Sequence, residues 1–429
     1  MTSIAFHSRK KLLPRIPTSV TRFGGAALLL SCLSWPVHAA EVSLKQLLEI
    51  AVVKHPSVLQ ARSQAQAAGF DVEAAQWGRY PTVSSELRSD TNLTPSLAKV
   101  EQPLWTGGKL TSRIELSEAN MRAAQAGIHE AQFTALTQVA SAYFEVLRLE
   151  QRLQHASLNV TEHERLVALI QRRSQAEISP PADTTLAQAR LQQAVSERIQ
   201  IKKQLDAALT TLAQWTMPLT GGLKAPAPLP FVRTPDAQLL ERVMANSPQR
   251  KRLQSQIESA EAQINVNKAQ IYSTVVAGFQ HTWAGLTSAT TDRNKAYLAL
   301  QFQSGAGLSA RSGMQAAASR KDAVQQELET LDRNLQSQTQ SAISELDALQ
   351  AQLNPAKALL DGTAEVVDSY LRQYQVGRKN WLDVLNAQRE KTQALYNLAD
   401  MQYGHQLAQV RLMILSGDIS AQQLAALHD

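Results

Sequence analysis

The sequence predicts a mostly α-helical protein with a small β part, in which one unit built of long helical hairpins occurs twice. Three observations predict this fold class: apolar residues recur at helical intervals over very long windows, the chain repeats itself at a fixed offset, and short segments alternate strictly. Aromatic residues make up only 5% of the chain. This composition favours helices packed side by side over large compact cores.

Residues 1–40 predict a secretory signal peptide. They hold five basic residues and no acid, an apolar stretch from Phe23 to Leu33, and the small-residue motif "VHAA" before Glu41. Without this leader, 38 Lys and Arg face 37 Asp and Glu, a net charge of +1, so no nucleic-acid partner is expected. Cys32 is the only cysteine and lies in the leader, so the mature chain is expected to use no thiol chemistry. Because "LLSC" resembles a lipoprotein cleavage box, acylation of Cys32 stays an alternative to cleavage after "VHAA".

The rest of the chain contains two copies of one unit. Residues 47–81 align with 239–273, which places Pro56 on Pro248 and Tyr80 on Tyr272, each 192 residues later. The predicted division is a signal peptide at 1–40, a first repeat at 41–216, a linker at 217–234, a second repeat at 235–417 and a C-terminal tail at 418–429.

Each repeat predicts the same order of elements: a helix of about 35 residues, two strands, a helix of about 70 residues, a break, and a return helix of about 35 residues. The first helices are expected to begin near Ser43 and Pro235 and to end at Tyr80 and Tyr272. At 1.5 Å per residue, each longest helix would span about 100 Å. A monomeric globule cannot bury such a helix, so the pattern predicts an elongated assembly.

Four segments predict strands that cross an outer membrane. Their lengths and their apolar and polar faces suit tilted strands, and the turns between them, around Asn92 and Thr290, are expected outside the cell. The alternation is strict in the second repeat and weaker in the first. The segments are 82–90, 98–105, 274–283 and 296–303.

Four strands in one chain cannot close a barrel. Open edges in lipid would leave backbone groups without hydrogen bonds, and the smallest single-chain barrels have eight strands. Two chains would give a barrel too narrow for a conduit, whereas three chains give twelve strands and a water-filled lumen. The sequence therefore predicts a trimer.

The two helix breaks, "AEISPPADTTLAQAR" and "YQVGRKNWLDVLNAQ", are expected to be hairpin tips. In the second, Gly377 ends the helix with a permissive backbone and the chain turns at Arg378 to Asn380. In the first, the prolines of Ser179-Pro180-Pro181 are expected to end the helix, and Asp183 to cap the return helix.

Three motifs, "LLEIAVVKHP", "QPLWTGG" and "YQVGRKNWLDVLNAQ", occur in order within a duplicated plan that covers essentially all of 41–417. In these features the chain resembles the TolC family of outer-membrane ducts. The resemblance implies a homotrimer in the outer membrane of a Gram-negative bacterium. Its shared twelve-stranded transmembrane β-barrel would continue into an α-helical barrel, a tunnel through the periplasm. It also implies a periplasmic adaptor (membrane fusion) protein and an inner-membrane transporter as partners.

The resemblance further implies that the tips form the periplasmic entrance and dock on the adaptor. The matching positions are Ile178, Ser179, Pro180, Val376, Gly377 and Arg378.

The resemblance also implies a gate and an acidic ring at this entrance. Tyr374 and Lys379 match gate-linking positions, and Asp183 is a candidate partner for Tyr374. Lysine lacks the planar fork of the family's arginine. Asp383 matches one acid of the ring, but Asn386 stands at the second, so a trimer would carry three charges and select cations less strongly.

The function predicted is a passive export duct without enzymatic activity, cofactor or metal, since no catalytic or metal-binding motif stands out. "WGRYPT" and "QPLWTGGKL" resemble the secretion branch of this family more than its lipoprotein efflux branch. This resemblance favours type I protein secretion, and small-molecule or drug efflux is the alternative. A periplasmic coiled-coil scaffold, a different class, would explain the helices but not the alternating strands.

Overall fold

The computed structural model describes residues 41–86, 96–218, 221–226, 233–283, 293–302 and 309–426. Helices dominate these ranges, and a four-stranded antiparallel sheet completes them. In the first half lie α1 Leu44–Lys54, α2 Pro56–Trp77, β1 Thr82–Glu86, β2 Ser96–Trp105, α3 Lys109–Gln175 and α4 Pro181–Trp215. In the second half lie α5 Asp236–Asn246, α6 Pro248–Ala269, β3 Thr274–Trp283, β4 Asn294–Gln301, α7 Ser309–Gln375, α8 Trp381–Ser416 and α9 Ala421–Ala426.

The first helix of each repeat is two helices, and the prediction of one continuous helix was wrong. The breaks fall at His55 and Ser247, each directly before a proline that begins the next helix. Proline cannot donate the hydrogen bond of a helix interior but fits the first turn. The expected starts are confirmed, because Ser43 and Pro235 are the N-cap residues of α1 and α5.

The long helical hairpins agree with the prediction. Helices α3 and α7 have 67 residues each, and the return helices α4 and α8 have 35 and 36 residues. Helix α3 packs against α4 on one side and α8 on the other, and α8 packs against α7. Four long helices therefore lie side by side in the order α4, α3, α8, α7.

The four strands form one open sheet in the order β1, β2, β3, β4. Strand β1 starts at the predicted residue, and the rest of its predicted range, 87–90, lies outside the described residues. Strands β2 and β4 each start two residues earlier than predicted, and β3 has the predicted bounds. Asn92 and Thr290 lie outside the described residues. The described sheet therefore has β1 and β4 as its edges.

The register separates the two faces of the sheet as the alternation predicts. One row runs across all four strands through Val83, Val100, Phe279 and Ala296. Leu298 and Leu300 share this apolar face, and each is 70% exposed. The opposite face is mostly polar and contains Lys99, Glu101, Gln280, Lys295, Tyr297 and Gln301.

The main core lies where α1, α3, α4 and α8 meet. Tyr143 and Phe144 of α3 are buried at its centre, with Tyr396 of α8 and Leu212 of α4. The predicted linker contributes to it, because Leu223 is buried and its backbone bridges to Val42. The range predicted as a tail contains α9, which packs on α1.

No helix in the described ranges combines the length and the apolar composition that crossing a lipid bilayer requires.

Candidate functional site

The two hairpin tips have the same backbone conformation. Five residues join the helices in each, 176–180 and 376–380, at an offset of 200. The second residue of each connection has a positive φ, 58° at Glu177 and 78° at Gly377. The N–H of the following residue, Ile178 or Arg378, donates to a carbonyl oxygen in the last turn of the preceding helix over 2.9 Å in both tips. The duplication therefore extends to single hydrogen bonds.

The first tip does not turn in the way its prolines suggest. The chain leaves the helix at Glu177, before either proline. Pro180 is the N-cap of α4 and Pro181 is its first residue. The prolines therefore begin the return helix, where a missing N–H costs nothing, and do not end α3.

Asp183 is not the N-cap of α4, because Pro180 occupies that position. It lies in the first turn, and Asp383 lies at the same position of α8. A carboxylate in a first turn interacts favourably with the positive end of the helix dipole.

Tyr374 joins the two tips within one chain. Its hydroxyl forms a buried hydrogen bond of 3.0 Å with Ser179 Oγ, and not with the expected partner Asp183. The ring is 5% exposed and packs against Trp381, with ring centroids 5.3 Å apart. The guanidinium of Arg173 lies 4.8 Å from the centroid of the Tyr374 ring. This side chain therefore holds the α3/α4 hairpin to the α7/α8 hairpin.

Lys379 contacts its own hairpin. Its Nζ lies 3.7 Å from a carboxylate oxygen of Asp383 and 4.3 Å from the centroid of the Tyr370 ring. Asn386 follows Asp383 by three residues, so the two lie on the same side of α8. Half-exposed Lys379 therefore offsets part of the negative charge of Asp383 within one chain.

The predicted docking residues differ in exposure. Ile178 and Val376 are 63% and 69% exposed. Pro180, Gly377 and Arg378 are also exposed. Ser179 is 8% exposed, and its side chain is hydrogen-bonded to Tyr374 within the chain. The docking role of these six positions stays a prediction.

A polar seam between α3 and α8 was missed by the sequence analysis. Asn159 Oδ1 accepts hydrogen bonds from Thr392 Oγ1 and Gln388 Nε2, and all three side chains are buried. His163 is buried one turn further along α3, beside a cavity of about 60 Å³. Burial lowers the pKa of His163, nearby Glu162 opposes this shift, and Arg190 adds to it. Asn and Gln abound on these helices, so no sequence signal distinguished this seam.

Within the ranges that the structure describes, no three His, Cys, Asp or Glu residues come together as a metal site would require.

Comparison with known proteins gives consistent matches in sequence and structure. The family model described as outer membrane efflux protein matches residues 47–216 and 239–418. The pyoverdine export outer membrane protein OpmQ of Pseudomonas aeruginosa is 24% identical over 303 residues, which are 68% of this chain and 62% of OpmQ. The match therefore spans less than two thirds of that relative.

Two further proteins are similar over most of the chain. The cobalt-zinc-cadmium resistance protein CzcC of Cupriavidus metallidurans is 23% identical over 73% of this chain and 74% of its own length. The crystal structure of the Campylobacter jejuni CmeC outer membrane channel superposes with a TM-score of 0.73 at 12% identity. It covers 88% of this chain and 86% of CmeC.

Proposed function

Because this chain belongs to the outer membrane efflux protein family, whose model matches both of its halves, we propose that it forms the outer-membrane duct of a tripartite export system. Family membership makes it an outer-membrane protein and a passive channel component, not an enzyme. In the proposed system, an inner-membrane transporter supplies the energy and a periplasmic adaptor connects the transporter to this duct.

The open sheet supports a barrel shared between chains. Strands β1 and β4 each leave one edge without a partner in the described chain, and lipid does not tolerate an open edge. The apolar face is bounded by aromatic residues, Trp283 at one end and Trp105 at the other. Aromatic residues flank the apolar band of outer-membrane barrels in this way. Three chains would supply twelve strands, enough for a water-filled lumen.

The helices also leave two edges for neighbours. In the order α4, α3, α8, α7, only α4 and α7 lack a helix on one side among the described elements. Both carry exposed apolar side chains, such as Ile199 on α4 and Leu359 on α7, which are 60% and 54% exposed. In a ring of three chains, α7 of one subunit would pack against α4 of the next and close the tunnel.

The proposed cargo is a small solute. The names of OpmQ and CzcC refer to export of pyoverdine and to resistance to cobalt, zinc and cadmium, and not to protein secretion. These names favour small-solute efflux over the type I secretion that the sequence motifs favoured. Type I secretion stays the second candidate.

The motifs that favoured secretion have a structural role that is independent of cargo. "WGRYPT" and "QPLWTGGKL" meet at the junction of helices and sheet, where the Gln102 side chain donates to the Arg79 carbonyl over 2.8 Å. A Cβ on Gly107, which has a φ of 60°, would overlap Tyr272. Local packing therefore accounts for these residues.

A deletion strain distinguishes the two cargo classes. We expect loss of the gene to increase sensitivity to small toxic solutes and to leave the secreted proteins of the culture medium unchanged. Loss of one secreted protein from the medium with unchanged sensitivity would instead support type I secretion.

The tips are proposed as the periplasmic entrance and as the adaptor-docking surface. Exposed Ile178 and Val376 support the docking role, because contact with a partner would remove their apolar surface from water. The Tyr374 contacts between the hairpins support a closed resting gate, with Lys379 as a second gate residue.

Three substitutions test the proposed acidic ring through cation selectivity in planar bilayers. Asp383→Asn should lower the preference for cations, because it removes one charge per subunit from a constriction. Asn386→Asp should raise this preference by adding a second acid. Lys379→Ala should also raise it, because it removes the ammonium that lies 3.7 Å from Asp383. Unchanged selectivity in all three variants would show that Asp383 does not form an acidic ring at the entrance.

A further inference from the structure

A row of side chains on the polar face of the sheet forms a unit that spans three strands. Glu101 of β2, Gly278 of β3 and Tyr297 of β4 are direct partners in the register. Tyr297 reaches across β3, and its hydroxyl donates to Glu101 Oε1 over 2.7 Å. Lys99 pairs with the same carboxylate at 2.6 Å. The row therefore joins β2 to β4 without a direct backbone contact between them.

Gly278 is what allows the tyrosine to lie flat. A Cβ at this position would overlap the ring and would stand 2.7 Å from its Cε2 atom, closer than nonbonded carbon atoms approach each other. Gly278 has an ordinary strand conformation, so the positive φ that usually explains glycine does not apply. The space above this residue, and not its backbone, therefore requires a glycine.

The ring also covers the ion pair beneath it. The side chains of Lys99 and Glu101 are only 30% and 21% exposed, although they lie on one face of a single sheet. Each charge is neutralised by its neighbour. The row is thus a smooth and locally neutral part of the polar face.

We propose that Gly278 seats Tyr297 against the wall of the barrel lumen and thereby sets the width of the duct at this level. This inference rests on the proposed barrel, in which the polar face lines the lumen. A side chain at position 278 would displace the ring from the wall into the path of the solute. Gly278 is then a positioning residue, and Tyr297 is the group that lines the lumen at this level.

Thiol labelling can test this width directly, since the predicted mature chain has no cysteine. Gln301 lies on the polar face at the helix end of β4, so Gln301→Cys reports reagents that have passed the level of Tyr297 from outside the cell. Intact cells receive thiol reagents of graded size, the largest too bulky for general porins. The measured quantity is the largest reagent that still labels the cysteine.

We expect Gly278→Val to lower this size limit and Gly278→Val combined with Tyr297→Ala to restore it. Ala299→Val adds two methyl groups, one carbon atom fewer than Gly278→Val, to the polar face of the neighbouring strand and should leave the limit close to that of the parent. Gly278→Ala serves as a milder second variant if valine prevents assembly, and it should also lower the limit. Recovery of each variant from the outer-membrane fraction at the level of the parent verifies that it is assembled.

The outcomes separate this inference from the proposed function. The proposed role of Gly278 in positioning Tyr297 would be overturned by either of two results. One is an unchanged size limit in the assembled Gly278 variants, and the other is a lowered limit that Tyr297→Ala fails to restore. If no reagent added outside the cell labels Gln301→Cys in the parent, the polar face does not line an open lumen. That result would contradict the proposed barrel itself.

Discussion

At the scale of single residues, the tips show how two sequences reach one backbone conformation. Gly377 was identified from sequence because glycine is the usual residue for a left-handed turn after a helix. Glu177 occupies the equivalent position with a φ of 58°, and nothing in its residue type indicates this. The neighbouring prolines are the stronger sequence signal, but they begin the return helix, and the turn itself lies at Glu177. The contact between Ser179 and Tyr374 joins residues 195 positions apart, which a single sequence does not reveal.

Replacing Glu177 by glycine should stabilise the tip. A left-handed conformation costs a residue with a Cβ about 1–2 kcal/mol, and the greater freedom of glycine in the unfolded chain offsets about half of this. We therefore expect a gain of about 0.5–1 kcal/mol, measured as a higher melting temperature of the detergent-solubilised protein. Gly377→Ala is the matched change in the other tip and should lower the melting temperature. A lower melting temperature for Glu177→Gly would contradict the strain assigned to this residue.

Replacing Ser179 by alanine should loosen the connection between the two hairpins. The variant removes one buried hydrogen bond, worth about 1 kcal/mol, and leaves the Tyr374 hydroxyl without its partner. If this bond helps to hold the entrance closed, single-channel conductance should rise, and Tyr374→Phe combined with Lys379→Ala should raise it further. Ser174→Ala, in the last turn of α3, is the control and should leave conductance unchanged. Equal conductance in Ser179→Ala and the control would exclude this bond from the gate.

At the scale of elements, periodicity and proline had different predictive value. The long helices were predicted closely because apolar spacing persists over many turns and averages out single exceptions. The breaks before Pro56 and Pro248 were missed, although a proline fits the first turn of a new helix better than a helix interior. The α3–α8 seam could not be predicted, since its polar residues follow the same spacing as solvated ones. Only the packing of the two helices shows that Asn159, Gln388 and Thr392 are buried.

The seam should make folding stability sensitive to acid. Burial holds the pKa of His163 below its ordinary value, so the folded chain favours the neutral ring. The charged groups around it are Glu162 on α3, Arg190 and Glu197 on α4, and Arg389 on α8. The unfolded chain binds the proton near pH 6.5, so stability should be lost as pH falls from about 6.5 toward the lower pKa of the folded state.

Comparison of the melting temperature of the parent and His163→Gln between pH 8 and pH 5 measures this contribution. The parent should lose more stability than the variant over this interval. Some loss should remain in the variant, because burial also lowers the pKa of His155 and His405. Parallel curves for the two proteins would show that His163 does not titrate in the seam.

At the scale of the whole molecule, the sheet and the long helices are incomplete in the same way. The sheet ends at β1 and β4, and the row of long helices ends at α4 and α7. The sequence predicted this incompleteness from strand number and helix length before any contact was known. It could not predict which helices form the edges, because that depends on α8 packing between α3 and α7.

The number of chains in the assembled particle decides most directly whether this protein forms a barrel shared between subunits. Native mass spectrometry of the detergent-solubilised protein measures that number without reference to cargo or partner. We predict a particle of three identical chains, because three copies of a four-stranded sheet close a barrel wide enough for a solute. A particle of one or two chains, stable under conditions that preserve the fold, would contradict the shared barrel and the duct proposed from it.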